Sequence, residues 1–251
     1  DLQKELQLVA GSELQQGYFN TQVAKNKNGN PDTLQTNDDI NYTTYSFFVQ
    51  GDYSINNDWI FNAGISLNKT KVDFTRLSSY PVMKQRRSYQ NELAPRISLR
   101  KKITDELSVK TTVSRGFSPP TMAELLPSTG VISTELEAEY GWNYEMTASY
   151  ELFKRKLRLE ATGFYFKLNN ALVQRRDISG ADFFVNAGNE SQKGLEITGD
   201  FLISPYKKYI DYYRVNAAYT YNHFRYGSFV KGIDDFSGKT VPSVPSNTFS
   251  V

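Results

Sequence analysis

The chain has 251 residues and a mass of 28.6 kDa, contains no Cys, and has a single His, His223. Disulfide scaffolds, Cys-based zinc sites, iron–sulfur clusters, thiol catalysis and a His-rich metal centre are therefore excluded, and a Ser-His-Asp triad would have to use His223. Its 29 basic and 27 acidic residues leave a net charge of +2, which is no electrostatic footprint for nucleic acid. Mean hydropathy is -0.52, and no stretch approaches the ~20 apolar residues that a spanning helix needs. Aromatics nevertheless make up 14% of the chain, with 17 Tyr and 16 Phe against 2 Trp, an excess that calls for a physical cause in so polar a sequence.

In chain order, the apolar residues recur with period 2, the signature of strands with two unlike faces. Residues 5–16 alternate in this way and are followed by a polar stretch over about 17–41. The next run sets Tyr45, Phe47, Val49, Gly51, Tyr53 and Ile55 against Ser46, Phe48, Gln50, Asp52 and Ser54. A short break at Asn56-Asn57-Asp58 leads into 59–75, and a long polar stretch over 76–90 into 91–102. Thr104-Asp105-Glu106 then joins this run to 107–116, which ends at a long stretch over 117–138. Beyond it, Trp142, Tyr144, Met146, Ala148, Tyr150 and Leu152 oppose Asn143, Glu145, Thr147, Ser149 and Glu151. Phe153 to Lys156 is a short break before 157–170, and 171–183 a long one before 184–203. After a break at Pro205 to Asp211, Tyr213, Val215, Ala217, Tyr219 and Tyr221 alternate with polar neighbours. A last long stretch, 227–245, precedes 246–251.

This pattern predicts about ten strands in an antiparallel up-and-down meander, with short turns at one end and long loops at the other. Aromatics sit at strand ends and small residues at strand centres, as where amphipathic rings mark an apolar–water boundary. The reading is an all-β transmembrane barrel, its apolar parity facing lipid and its polar parity a wet lumen. A large soluble sheet with one buried face is the alternative.

Several motifs add to this. Val113-Ser114-Arg115-Gly116-Phe117-Ser118-Pro119-Pro120 is followed by Thr121 to Leu125, then by Leu136-Glu137-Ala138-Glu139 and Trp142-Asn143-Tyr144-Glu145. Val185-Asn186-Ala187-Gly188 precedes Lys193-Gly194-Leu195-Glu196, and Ala218 to Tyr221 leads to Val241-Pro242-Ser243-Val244-Pro245. Over about residues 91–251, their order and spacing resemble the barrel of TonB-dependent outer-membrane receptors, most closely those for ferric siderophores and other iron complexes. The resemblance implies an internal piece of a 22-stranded barrel, residues 1–251 being barrel with no plug domain. It also implies a bacterial outer-membrane location and contact with outer-membrane lipid. The cargo would be an iron–siderophore-type ligand, driven by a TonB-type energy-coupling protein through a plug outside this chain. It implies no enzymatic activity, cofactor or bound metal.

Arg115, Gly116, Phe117, Pro119 and Pro120 have a direct backbone reading as a strand reaching its rim, since Pro donates nothing to a ladder. Asn186 and Gly188 suit a turn or bulge, and Gly194 opens the following strand. For an anionic chelate with aromatic groups, Arg and Tyr in the long loops are suitable partners, which singles out Arg86, Arg87, Tyr89, Arg175, Arg176 and Tyr226. The pairs Asp38-Asp39 and Asp234-Asp235 have no spaced ligand series around them and read as solvated loop residues. Glu145, Glu160, Glu196 and Asp200 are expected to pair with Lys110, Arg96, Arg158 and Arg214 on the lumen wall. The other functional readings are uptake of cobalamin or a glycan, a passive porin, an outer-membrane hydrolase built on His223, and a soluble sugar-binding sheet.

Overall fold

A computed structural model describes residues 5–126, 132–178, 180–186, 188–203, 212–231 and 233–251. The expected break at Pro205 to Asp211 lies outside the described residues. So do Ala187 and the middle of the 117–138 stretch.

The long strands are β1 (Glu5–Lys27), β2 (Asn30–Ser54) and β3 (Trp59–Arg76), followed by the short β4 (Met83–Ser88). Next come β5 (Glu92–Lys102), β6 (Leu107–Ser118), one turn of helix α1 (Met122–Leu125), β7 (Glu139–Leu152) and β8 (Leu157–Asn169). The hairpin β9 (Leu172–Arg176) and β10 (Asp182–Asn186) precedes β11 (Asn189–Ile203) and β12 (Tyr213–Tyr226). The chain closes with the pair β13 (Val230–Lys231) and β14 (Asp234–Asp235), and then β15 (Asn247–Ser250). One antiparallel sheet runs β1-β2-β3-β5-β6-β7-β8-β11-β12-β15, with β4 paired onto β3. This is the meander that the period-2 pattern predicts.

Along the wall, side-chain parity sorts as the sequence suggests. On six strands the outer face carries an apolar series about nine residues long, the length of a tilted membrane-spanning strand: Tyr45–Tyr53, Trp59–Leu67, Trp142–Tyr150, Leu157–Tyr165, Leu195–Ile203 and Tyr213–Tyr221. Met146, in the middle of one series, is 58% exposed although it lies in a fully paired strand. Among the described residues, no second layer covers this face. An apolar belt of this extent has a stable environment only in hydrocarbon.

The stretch 17–41, expected as a long loop, is instead the outer half of the β1–β2 hairpin. Pairing continues past Thr21↔Asp38 to Lys27↔Asn30, with irregularities around Ala24. Asn28 (φ 54°) and Gly29 (φ 86°) close it as a two-residue turn whose positive φ angles fit the right-handed twist of the strands. The ladder needs backbone partners and no apolar parity, so it persists where the side chains turn polar. The other long stretches also hold structure: β4 folds back on β3, β9 pairs β10, and β13 pairs β14. The expected single run 184–203 divides at Gly188, whose φ is +91°.

The buried core lies at the long-loop end rather than in the wall. Ile40, Val72 and Phe74, on the concave face of β2 and β3, pack with Tyr89, Leu125 and Leu136. A capping box at Thr121 and Glu124 starts α1 and positions Leu125 for this contact.

Candidate functional site

The loop end of the concave face gathers two clusters. In the first, β4 places Arg87 opposite Val72, on the concave side of the sheet. Its guanidinium pairs with Glu137 and lies 5.3 Å from the centre of the Tyr89 ring. Tyr89 is only 3% exposed; its backbone N–H donates to Thr70 O at 3.0 Å, and its hydroxyl has no hydrogen-bond partner. Burial pushes that hydroxyl's pKa up to about 12. Arg86 takes the opposite parity: it sits across from Asp73, pairs with its carboxylate and is exposed. The sequence therefore groups two arginines that the strand sends to opposite faces.

In the second cluster, the Arg175 guanidinium lies 5.9 Å from the Phe229 ring centre and donates to Val230 O at 3.1 Å. Phe229 packs with its ring tilted against Tyr226 (centroids 4.8 Å apart) and Phe236 (5.7 Å). Arg176 points away, closing the β9–β10 hairpin onto Asp182 at 2.7 Å. This pair holds the Asp182 carboxyl below the usual carboxylate range.

Asn186 joins the clusters. Its side chain accepts from Glu137 N–H at 2.8 Å and donates to Glu137 O (3.0 Å) and Asn170 O (2.8 Å). The loop after α1, the end of β8 and the β9–β10 hairpin are thus tied through one amide. Gly188 sits next to it where no side chain fits: an added Cβ would come within 1.9 Å of Ser228 O. Gly194 faces Phe164 across the β11–β8 ladder, and a Cβ there would meet the ring at 2.7 Å.

Arg115 lies at the rim of β6. It pairs with Glu92 at 2.8 Å and stacks 5.1 Å from the centre of the Tyr140 ring, so one side chain joins β5, β6 and β7. Gly116 and Phe117 complete the strand, and Pro119 and Pro120 lead to the Thr121 cap.

Below the loops, the concave face is a polar groove of about 970 Å³ lined by Arg96, Arg100, Lys110, Glu160 and Glu196 among others. Glu160 takes hydrogen bonds from Ser149 (2.8 Å) and Arg158 (3.0 Å), Asp200 pairs with Arg214, and Glu145 accepts from Asn143 rather than from a cation. Phe164, an aromatic on the polar parity of β8, was missed by the sequence reading. Phe164 and Phe224 meet edge-on at 6.3 Å on the concave side. Two ring residues, Phe164 and Phe166, falling in phase with Glu160 are the signal that could have found it.

Asp38 and Asp39 cannot hold one ion together. Asp38 is 2% exposed and takes two hydrogen bonds from Arg76 (2.8 and 2.9 Å), whereas Asp39 faces the other way and accepts from Tyr18 and Asn20. His223 accepts from Arg225 Nε at 2.8 Å on the outer side of β12.

The TonB dependent receptor-like β-barrel family model matches residues 1–251. The chain is similar in structure to the ferric citrate transporter FecA in its unliganded form (TM-score 0.71, 15% identity, 97% of this chain and 36% of that one). It is also similar to the siderophore receptor PiuA from Acinetobacter baumannii (0.70, 15%, 99% and 41%) and to the copper transporter OprC (0.68, 13%, 88% and 36%). No curated protein matches it. It spans well under half the length of each of the three structures, and at such identities the likeness bears on the fold alone. With a model of that wall matched from end to end and the same meander present, the chain belongs to the TonB-dependent receptor β-barrel family and supplies part of such a barrel.

Proposed function

We propose that this chain forms part of the wall and outer mouth of a bacterial outer-membrane receptor that imports a ferric siderophore or similar iron complex. The apolar parity meets outer-membrane lipid and the polar groove borders the passage. The Arg175–Tyr226–Phe229 cluster meets the cargo, the buried Arg87–Tyr89 cluster braces the mouth beside it, and a TonB-type protein supplies energy through a plug carried outside this chain. The observation that carries this reading is the placement of Arg87–Tyr89 and Arg175–Tyr226–Phe229 at the loop end, above a polar concave wall. Guanidinium groups and aromatic faces together suit an anionic chelate with flat ligand groups. Two of the similar structures are a ferric citrate transporter and a siderophore receptor. The Arg115–Pro120 and Asn186–Gly188 segments act here by shaping the rim and not by touching cargo.

The test is calorimetry on the intact receptor with ferric citrate, a ferric catecholate, a ferric hydroxamate, a copper chelate and cobalamin. The expected result is binding of one iron chelate, weakened roughly tenfold or more by Arg175→Ala, the loss of one charge-assisted contact of about 1.4 kcal/mol. Arg176→Ala, whose guanidinium is engaged by Asp182, is expected to change affinity by less than about twofold. Binding of cobalamin alone, or of none of the five, would overturn the cargo assignment.

A further inference from the structure

The concave groove holds a charge arrangement that the loop clusters do not explain. Along β5, Arg96, Ser98, Arg100 and Lys102 share the parity that lines the groove. β6 sets Lys110 directly across from Arg100, and Thr112 across from Ser98. Like charges directly opposite each other in a sheet, with Cβ atoms about 5 Å apart, repel and destabilise it. A wall built for its own stability places an acid at such a position, as Asp73 stands opposite Arg86.

No carboxylate of the wall cancels this charge. Asp105, Glu151 and Glu160 pair with Lys102, Arg155 and Arg158. Asp52 and Glu106 accept from Asn62 and Thr104. Glu145, diagonal to Lys110 across the β6–β7 pair, accepts from Asn143. Glu196 is three strands from β6, about 14 Å away. Among the described residues, Arg96, Arg100 and Lys110 make no ion pair or hydrogen bond, and all three are exposed. Between them lies Ser98, which is only 7% exposed and whose hydroxyl also has no hydrogen-bond partner among the described residues. It sits midway between the two arginines, about 7 Å from each along the strand, so both guanidinium groups and the Lys110 ammonium can converge over it.

Three unneutralised cations around a buried hydroxyl, in a wet groove, match one class of ligand. We infer that Arg96, Ser98, Arg100 and Lys110 form a binding site for a multiply charged oxyanion, a di- or tricarboxylate or a diphosphate, on the lumen wall below the mouth. The guanidinium groups take oxygens in pairs, the ammonium supplies a point charge, and Ser98 donates from the floor. Its role rests on the import reading above: the acidic groups of the cargo reach this site after leaving Arg175, so the passage has a second anion stop. The rival occupant is a carboxylate-bearing face of the plug.

The test uses the full-length receptor in detergent, its lysines acetylated by an amine-reactive reagent and read by peptide mass spectrometry. Citrate and pyrophosphate, without iron, are the probes, compared with chloride at equal ionic strength. At about 10 mM, each is expected to slow acetylation of Lys110 by about fivefold or more and to leave exposed Lys25 of the β1–β2 hairpin unchanged. Arg96→Gln with Arg100→Gln should remove this protection, whereas Arg96→Lys with Arg100→Lys should keep most of it. Rapid labelling of Lys110 that neither probe slows, equal slowing of Lys25, or protection that persists in the Gln variant overturns the site. Slow labelling without a probe, unchanged by either one, overturns it in favour of the plug. None of these readings involves a chelate at the mouth, so failure of the calorimetry and failure here are separate results.

Discussion

At the scale of single residues, the loop end is built from groups with little freedom to change. Gly188 combines φ +91° with a Cβ position 1.9 Å from Ser228 O. Gly188→Ala is expected to destabilise the β10–β11 junction by about 2 kcal/mol or more, seen as faster protease nicking near residue 188 in the folded receptor. Tyr89 behaves in the opposite way. Its buried hydroxyl has no partner, so Tyr89→Phe is expected to be neutral or stabilising by up to about 1 kcal/mol. The sign of the pH effect follows from the raised pKa. The neutral phenol is favoured in the fold, so its contribution is complete below the ordinary value of 10.0 and is lost as pH rises toward about 12. Near-ultraviolet dichroism from pH 9 to pH 12 should show an alkaline loosening in the wild type that Tyr89→Phe reduces. An identical profile in both would sink this account.

At the scale of elements, what the sequence discloses depends on whether a strand has to separate two media. β3, β7, β8 and β12 do, and their alternation, as in Trp142 to Leu152, is legible without any structure. The outer half of the β1–β2 hairpin has polar side chains on both parities, Asn20 and Asp39 on one face and Thr21 and Asp38 on the other, so its continued ladder leaves no hydropathy trace. Only Asn28-Gly29 marks it, a turn signal that lies inside a stretch read as loop. The loop clusters were hidden for another reason. Arg87 finds Glu137 and Asn186 finds Glu137 at separations of 50 and 49 residues, and no local spacing encodes such meetings. Hence the sequence groups Arg86 with Arg87 and Arg175 with Arg176, although Arg86 is held by Asp73 on the opposite face from the Arg87–Glu137 pair, and Arg176 is held by Asp182 while Arg175 lies against Phe229. The two-media argument gives a contrast to measure. Ala161 lies in the middle of the β8 outer series and Thr162 on the polar side. Ala161→Arg is expected to cost about 2–4 kcal/mol of folding free energy in bilayers and Thr162→Arg much less, by denaturant titration in liposomes. Equal costs would mean that the two faces do not meet different solvents.

At the scale of the molecule, the sheet is open. Among the described residues, β1 and β15 each pair on one side only, and β1 presents a long row of backbone donors and acceptors over Glu5–Lys27. In hydrocarbon each unpaired group costs several kcal/mol, so such an edge is not tolerated there, and in water it is a template for pairing with another chain. The 251-residue chain by itself therefore has two routes, association edge to edge or failure to insert, and neither makes a selective passage. In a liposome flux assay it is expected to give no chelate-specific uptake, and in detergent it is expected to run as mixed oligomers on size-exclusion chromatography. Co-expression with the remainder of a receptor barrel as a separate chain would offer β1 and β15 their missing partners. The expected outcome is then a heat-modifiable, protease-resistant complex in place of those oligomers. Ligand-specific uptake by the chain alone would show that its edges close on each other or on a second copy, and the open wall described here would then be only one protomer of a complete pore.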